Sequence, residues 1–329
     1  MSFIHKGVGS YWRPYELKAA KKHFGSETES FDAEYFIWRH NTECVNANIF
    51  NQSHVIEEKY KSLTPSGKII NPMSSYKYTN NKDVCFDAWK ESNISIPNFF
   101  SYDNREDFES KRFDFPFLLR LNDGVTGEDT YLVENETQLE SAFLKVESAY
   151  ERNKRINTKK ICVQFIDTSI EGGYKTSYRI IVAGNNVIVG YARISDDWLA
   201  ITKQFTNEKK PHFIQQNKRL SKLIKDNHDE IVRSVNTLGL HHVGIDLITD
   251  REDNMYFLEL QPFYFSGRPM QHPNPTSPPY WNPYKPQILV DWLINEQKNL
   301  QDEIPLYYQN WLDKDNHFDL CYKSLKESL

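Results

Sequence analysis

Residues 244–262, GIDLITDREDNMYFLELQP, constrain the fold more than any other stretch of the chain. Two apolar runs flank a polar REDN turn, the pattern of a buried antiparallel hairpin, yet each run carries an acid, Asp246 and Glu259. With 251–254 as the loop, position 250 pairs with 255, 249 with 256, and Asp246 falls opposite Glu259. Side chains alternate across a strand, so Gln261 shares the face of Glu259, and Ile245, Leu247, Leu258 and Leu260 take the other. Like charges repel when their Cβ atoms sit about 5 Å apart across two strands. A hard cation such as Mg2+ relieves that repulsion through carboxylate and amide oxygens. A solvated face, with each acid paired to a Lys or Arg, relieves it equally well. Asp250, Glu252 and Asp253 read as a solvated turn.

Upstream, PYELKAAKKHF at 14–24 predicts a helix ended by Gly25, followed by a polar loop over 26–33. EYFIW predicts a strand, residues 45–60 a helical stretch, and SLTPSG a turn before the short KIINP run. NKDVCFDAWKESNISIP predicts a helix that stops before Pro97; FPFLLRLN is a strand centred on Leu118, DGVTGED a loop and TYLV a second strand. A helix over 136–152 carries Leu139, Phe143 and Val146 at helical spacing. ICVQFID (161–167), YRIIVA (178–183) and NVIVGYARIS (186–195) predict three strands, the last two joined by a tight Gly-Asn-Asn turn. The longest helical signal, 215–238, precedes the hairpin. Prolines at 269, 273, 275, 278, 279, 283 and 286 mark an ordered loop or linker leading to helices around 285–300 and 306–326.

Composition narrows the functional classes. At 329 residues, the chain has room for two or three domains. Its 45 acidic and 40 basic residues give a formal charge of -5 with no long basic block, so no nucleic-acid partner is expected. No signal-peptide core stands at the N-terminus and no apolar run approaches the ~20 residues that span a bilayer, so a soluble cytoplasmic protein without a membrane partner is the expectation. Cys44, Cys85, Cys162 and Cys321 form no C-x-x-C pair and read as reduced, mostly buried residues. The adjacent His241 and His242 face opposite ways on a strand, which favours structural roles over joint metal ligation.

Asp246 followed by Glu259 and Gln261 in FLELQP resembles the metal-binding hairpin of the ATP-grasp superfamily, in which an Asp on one strand precedes a Glu-x-Asn on the next. NKD at 81–83 resembles the first nucleotide-contacting lysine segment, and FPFLLRLNDGVTGEDTYLV the strand, flexible loop and strand that close over phosphates. ICVQFID is similar to the hinge strand at adenine, and YRIIVAGNNVIVGYARIS to the segment with two arginines near the transferred phosphate. The resemblance spans roughly 70–265, in the family's order. Two positions depart from it: Arg120 stands for the second nucleotide lysine, and Gln261 for the usual Asn.

The resemblance implies an α+β ATP-grasp fold with a short N-terminal α/β domain (1–75), a small lid (76–166) and a larger C-terminal domain (167–329) that carries the metal hairpin, the substrate loop and a helical tail. It implies ATP, with Mg2+ or Mn2+, and a carboxylate and an amine of small-molecule or peptide metabolism joined through an acylphosphate; a homodimer is compatible with it. Lys82, Arg120 and the loop glycines Gly124 and Gly127 are the expected phosphate contacts, the loop through its N–H groups. Gln164, Phe165 and Ile166 are the expected adenine contacts, with Asp167 a ribose acceptor or a strand-end cap and Lys175 an ATP contact or a solvated side chain. Asp246, Glu259 and Gln261 are the expected metal ligands, Arg179 and Arg193 the catalytic arginines at the γ-phosphoryl group, and Ser266 and Arg268 the acceptor-binding residues. A kinase acting on a hydroxyl, or a non-catalytic ATP-binding regulator, are the alternative readings of the same motifs.

Overall fold

The structure, a computed structural model, describes residues 1–7, 13–39, 47–124, 127, 129–153, 157–199, 206–261, 306 and 314–329. The first strands, β1 (Ser2–Gly7), β2 (Ser26–Glu27), β3 (Tyr35–Arg39) and β4 (Lys68–Ile70), form a parallel sheet in the order β2-β1-β3-β4. Helices α1 (Arg13–Phe24) and α2 (Ala47–Leu63) belong to this part of the chain. β3 is buried along its whole length, as parallel strands covered on both faces are.

Two short helices follow, α3 (Tyr76–Asn80) and α4 (Lys82–Glu91), and lead into an antiparallel sheet. Its strands are β5 (Phe99–Tyr102), β6 (Phe117–Leu121), β7 (Thr130–Val133) and β8 (Lys160–Gln164), in the order β5-β8-β6-β7. β6 alternates as a one-sided strand must: Phe117, Leu119 and Leu121 are buried, while Leu118 and Arg120 face the other way. The buried face packs on α5 (Arg105–Lys111) and α6 (Glu136–Asn153), which contribute Phe108 and the stripe Leu139, Ala142, Val146 and Ala149. Asn104 caps α5, its side chain accepting from the Asp107 N–H at 2.9 Å.

A second antiparallel sheet, β10-β9-β11-β12, is built from β9 (Lys175–Ala183), β10 (Asn186–Ser195), β11 (His242–Thr249) and β12 (Met255–Gln261). Tyr178, Ile180, Val182, Val243, Ile245, Leu247, Phe257 and Leu260 pack on α4, α7 (Lys210–Asp226) and α8 (His228–Asn236). On the opposite face, Ile181, Ala183, Val189 and Tyr191 share a core with Phe3, Phe24, Tyr35 and Ile37 of the N-terminal part. α9 (Lys314–Ser328) closes that core with Phe318, Cys321, Tyr322 and Leu325, spaced to form one helical stripe.

The α+β class expected from sequence holds. β1, β5 and α5 had no counterpart in the sequence reading. The single helix expected over 215–238 starts earlier, at Lys210, and is interrupted at Asn227, whose N–H and side chain both bond back to the Leu223 carbonyl. The helix expected over 285–300, the proline-rich segment and Cys44 lie outside the described residues. Cys85, Cys162 and Cys321 are buried, as expected. Among the described residues, no helix is long and apolar enough to cross a membrane.

Candidate functional site

Asp246 and Glu259 are register partners, as the hairpin pattern predicts. The route to that register is different: the turn holds five residues, 250–254, Thr249 pairs with Met255, and a bulge at Leu258 restores the outer pairing. The Asp250 carboxylate nucleates the longer turn by accepting from the Glu252 and Asn254 N–H groups at 3.0 and 2.9 Å. A bulge also re-aims side chains, so Leu258, expected on the core face, lines a cleft beside Glu259.

That cleft lies between the two antiparallel sheets. Phe86, Leu118, Val163, Ile166, Ile248 and Leu258 give it apolar walls; Lys82, Arg120, Asp246 and Glu259 give it a charged end. Gly127, Gln164 and Phe165 line it as well, so most of the expected nucleotide positions meet in one place. Gln164 is fixed by Asn98, whose N–H and side-chain amide donate to its Oε1 at 3.3 and 2.9 Å.

Asn122 sets up the charged end from below. This fully buried side chain donates to Asp83 Oδ1 at 2.7 Å and accepts from the Lys159 N–H at 2.9 Å, and the Asn122 main-chain carbonyl accepts from the Lys82 N–H at 3.0 Å. Lys82, in the first turn of α4, and Arg120, two residues before Asn122, are thereby held against one another's strand and helix. Both donate to the Gly124 carbonyl, Lys82 at 2.8 Å and Arg120 at 3.2 Å. The loop thus presents a carbonyl oxygen to the cations, where N–H contact with phosphate was expected of Gly124.

The acids are engaged too. Arg179 donates from Nε and Nη2 to the two Asp246 oxygens at 2.6 Å each, and Arg193 Nη2 donates to Oδ1. Lys82 Nζ lies 2.8 Å from Glu259 Oε2, and Gln261 donates to Glu259 Oε1. Burial works against the Asp246 carboxylate, but Arg179 and Arg193 outweigh it and hold its pKa down to about 2. For Glu259 burial is likewise overcome, chiefly by Lys82, and its pKa is lowered despite the neighbouring Asp246. Burial lowers the pKa of Lys82 and of Arg120, with Glu259 pulling the other way in each case.

Two carboxylates and an amide are the donor chemistry of a hard cation, so the set fits Mg2+ or Mn2+. Among the described residues, no group of three or more His, Cys, Asp or Glu side chains could hold a metal ion. A cation here therefore needs further oxygens from elsewhere, such as phosphate or water.

Asp167 and Lys175 are placed differently from the rest. Asp167 accepts from the Ser169 N–H at 3.1 Å and from Lys175 at 2.8 Å, and pairs with Arg251 at 2.6 Å, which ties the segment after β8 to the hairpin turn. Those bonds hold its carboxyl below the usual range against the effect of burial. Ser266 and Arg268 lie outside the described residues. Sequence reasoning missed Asn122, Trp198 and Leu258; only the loop after β10 brings Trp198 to the cleft, and nothing in its local pattern signals that.

His241 and His242 are anchored through their main chains. Asn71, at φ 56° after β4, accepts from the His241 and His242 N–H groups at 2.8 and 2.9 Å and donates to the His242 carbonyl at 2.8 Å. The parallel sheet is thereby tied to the start of the strand that carries Asp246.

The comparisons bear on this arrangement. A sequence model of the RimK-like ATP-grasp domain matches residues 79–263. Among solved structures, the chain is similar to the ATP-grasp ligase PsnB complexed with a minimal precursor, at 10% identity and TM-score 0.50 over 80% of this chain and 91% of that one. It is also similar to an N5-carboxyaminoimidazole synthetase from Staphylococcus aureus complexed with ADP, at 11% identity and TM-score 0.52 over 80% and 70% of the two chains. A further similar structure is the ADP complex of an N5-carboxyaminoimidazole ribonucleotide synthetase, with 13% identity, TM-score 0.52 and the same two coverages, 80% and 70%. No curated protein matches the chain.

Proposed function

The chain belongs to the RimK-like ATP-grasp family, and on that premise we propose that it is an ATP- and Mg2+-dependent ligase that joins a carboxylate to an amine and releases ADP and phosphate. The observation that carries this reading is the cleft itself: an apolar slot whose one end gathers Lys82, Arg120, Asp246 and Glu259. Adenine suits the slot, with main-chain groups of Phe165 and Ile166 at its edge, and a polyphosphate suits the charged end.

In this reading Lys82 and Arg120 bind the phosphates, and Arg179 and Arg193 face the γ-phosphoryl group. Asp246, Glu259 and Gln261 hold the divalent cation, which neutralises phosphate charge when bound. A substrate carboxylate oxygen attacks the γ-phosphorus, ADP leaves, and the amine then attacks the acyl carbon of the resulting acylphosphate, expelling phosphate. Arg193 stabilises the negative oxygen of the tetrahedral intermediate. Positioning and charge supply the catalysis, so no enzyme nucleophile is needed. Residues 76–166 serve as the lid, and Ser266 and Arg268 belong to the acceptor-binding segment. PsnB, of the same fold, was solved with a minimal precursor, which makes peptides one class of substrate to test beside small acids.

The test is a screen of amino acids, small acids and peptides for acceptor-dependent ADP release. Release that requires both a carboxylate and an amine supports ligation. Release with a stable phosphorylated hydroxyl product would identify a kinase, and nucleotide binding without turnover a regulatory protein.

A further inference from the structure

Each cation at the charged end of the cleft already has an anionic or carbonyl partner, and each acid a cationic one. Asp246 receives three charge-assisted bonds, two from Arg179 and one from Arg193. Glu259 is paired to Lys82, and the Gly124 carbonyl accepts from both Lys82 and Arg120, whose Nε donates to the Leu121 carbonyl. The arrangement is well buried, the side chains of Asp246 and Lys82 being 9% and 10% exposed.

The charge count matters more than the contacts. Lys82, Arg120, Arg179 and Arg193 against Asp246, Glu259 and Asp123, whose charge also acts on Lys82 and Arg120, leave the cluster one positive charge in excess. A divalent cation entering alone would raise that excess to three, break the bonds to Asp246 and Glu259, and leave buried guanidinium and ammonium groups without their carboxylates. It would also find only two carboxylates, since the described residues hold no larger set of metal-binding side chains. A polyphosphate reverses each of these costs: it takes over the cations, frees both carboxylates and adds oxygens to complete the coordination.

We propose that the cation site of this protein is created by the nucleotide: the polyphosphate binds first and without metal, displacing Gly124, Glu259 and Asp246 from the cations, and only then do Asp246 and Glu259 accept a divalent ion. This rests on the reading of the cleft as a nucleotide site. It assigns Lys82, Arg179 and Arg193 a second task, holding the metal ligands closed until substrate arrives.

The experiment pairs two titrations of the purified protein. In the first, Mn2+ is added without nucleotide and its free signal followed by electron paramagnetic resonance; in the second, ADP is added in excess chelator and its heat of binding recorded. The wild type should leave Mn2+ free and still bind ADP in chelator. Replacing the cations that guard the acids, in Arg193→Leu and in Lys82→Met, should tighten nucleotide-free Mn2+ binding by about tenfold or more. Both variants are read by circular dichroism, and one folded variant suffices for this arm. Stoichiometric Mn2+ binding to the nucleotide-free wild type, or ADP binding that depends wholly on metal, would overturn the proposal while leaving the nucleotide site in place. Failure of ADP to bind with or without Mn2+ would overturn the nucleotide reading and this proposal with it.

Discussion

Arg179 holds Asp246 across two adjacent strands with both ends of its guanidinium, Nε to Oδ1 and Nη2 to Oδ2, each at 2.6 Å. The two residues are register partners, so the bidentate geometry is set by the sheet and not by a flexible loop. A buried carboxylate stripped of such a partner is costly. Arg179→Met is expected to destabilise the fold by about 3 kcal/mol, with Arg193 retaining part of the neutralisation, as urea denaturation would measure. A loss under about 0.5 kcal/mol would mean that the pair is solvated and interchangeable.

Stability should fall on mild acidification. Burial, reinforced by Arg39, His317 and His5, pushes the pKa of His242 well below its ordinary value, and burial with Arg39 brings that of His317 to about 3. A base with a depressed folded pKa binds fewer protons folded than unfolded. Its contribution is therefore intact above the unfolded value near 6.5 and is lost as pH falls below it, by about 1.4 kcal/mol per unit for each histidine. Thermal melts at pH 7.5, 6 and 5 should show the decline, and His317→Gln should flatten it. A Tm independent of pH between 7.5 and 5 would contradict the burial of neutral histidines.

Asn71 is the joint between the parallel sheet and β11. Asn71→Ala removes two bonds accepted from main-chain N–H groups and two donated to the carbonyls of His242 and Trp38, around a side chain that is itself buried. About 2–3 kcal/mol of destabilisation is expected in chemical denaturation, with the far-UV spectrum retained. An unchanged denaturation midpoint would show that His241 and His242 find other partners.

The bulge at Leu258 accounts for a separate expectation. Leu258→Ala removes apolar wall from the cleft without touching the ion pairs, so ADP affinity should drop roughly five- to tenfold while Tm shifts little. Affinity equal to the wild type would place the base elsewhere.

Much of this was legible in the chain because strands and helices announce their periods. The pairing of Asp246 with Glu259 could be read directly, but two errors of one residue lay hidden beneath it. The five-residue turn shifted the inner register, and the bulge shifted it back. An unbroken period of two shows neither, and so it places Leu258 on the core face, from which the bulge removes it. β1 carries no strand signal because SFIHKG ends in His5, Lys6 and Gly7; His5 is buried beside Glu16 and Tyr322, the latter 317 positions away in sequence. The helix after 210 read as one because its apolar stripe continues past Asn227. At the cleft, residue types and order single out Lys82, Arg120, Asp246 and Glu259, which the structure gathers at one end. That the acids and arginines neutralise one another, and that Gly124 turns its carbonyl inward, depends on distances between separate strands and loops, which no local pattern encodes.

The central claim, that Lys82, Arg120 and the acid pair form the phosphate end of an ATP site, is tested most directly by calorimetric titration of ADP into the wild type and into Arg120→Ala. One ADP per chain should bind the wild type, and the variant should bind at least about tenfold more weakly with its fold intact. Absence of ADP binding by the wild type, or equal binding by a folded Arg120→Ala, would contradict it.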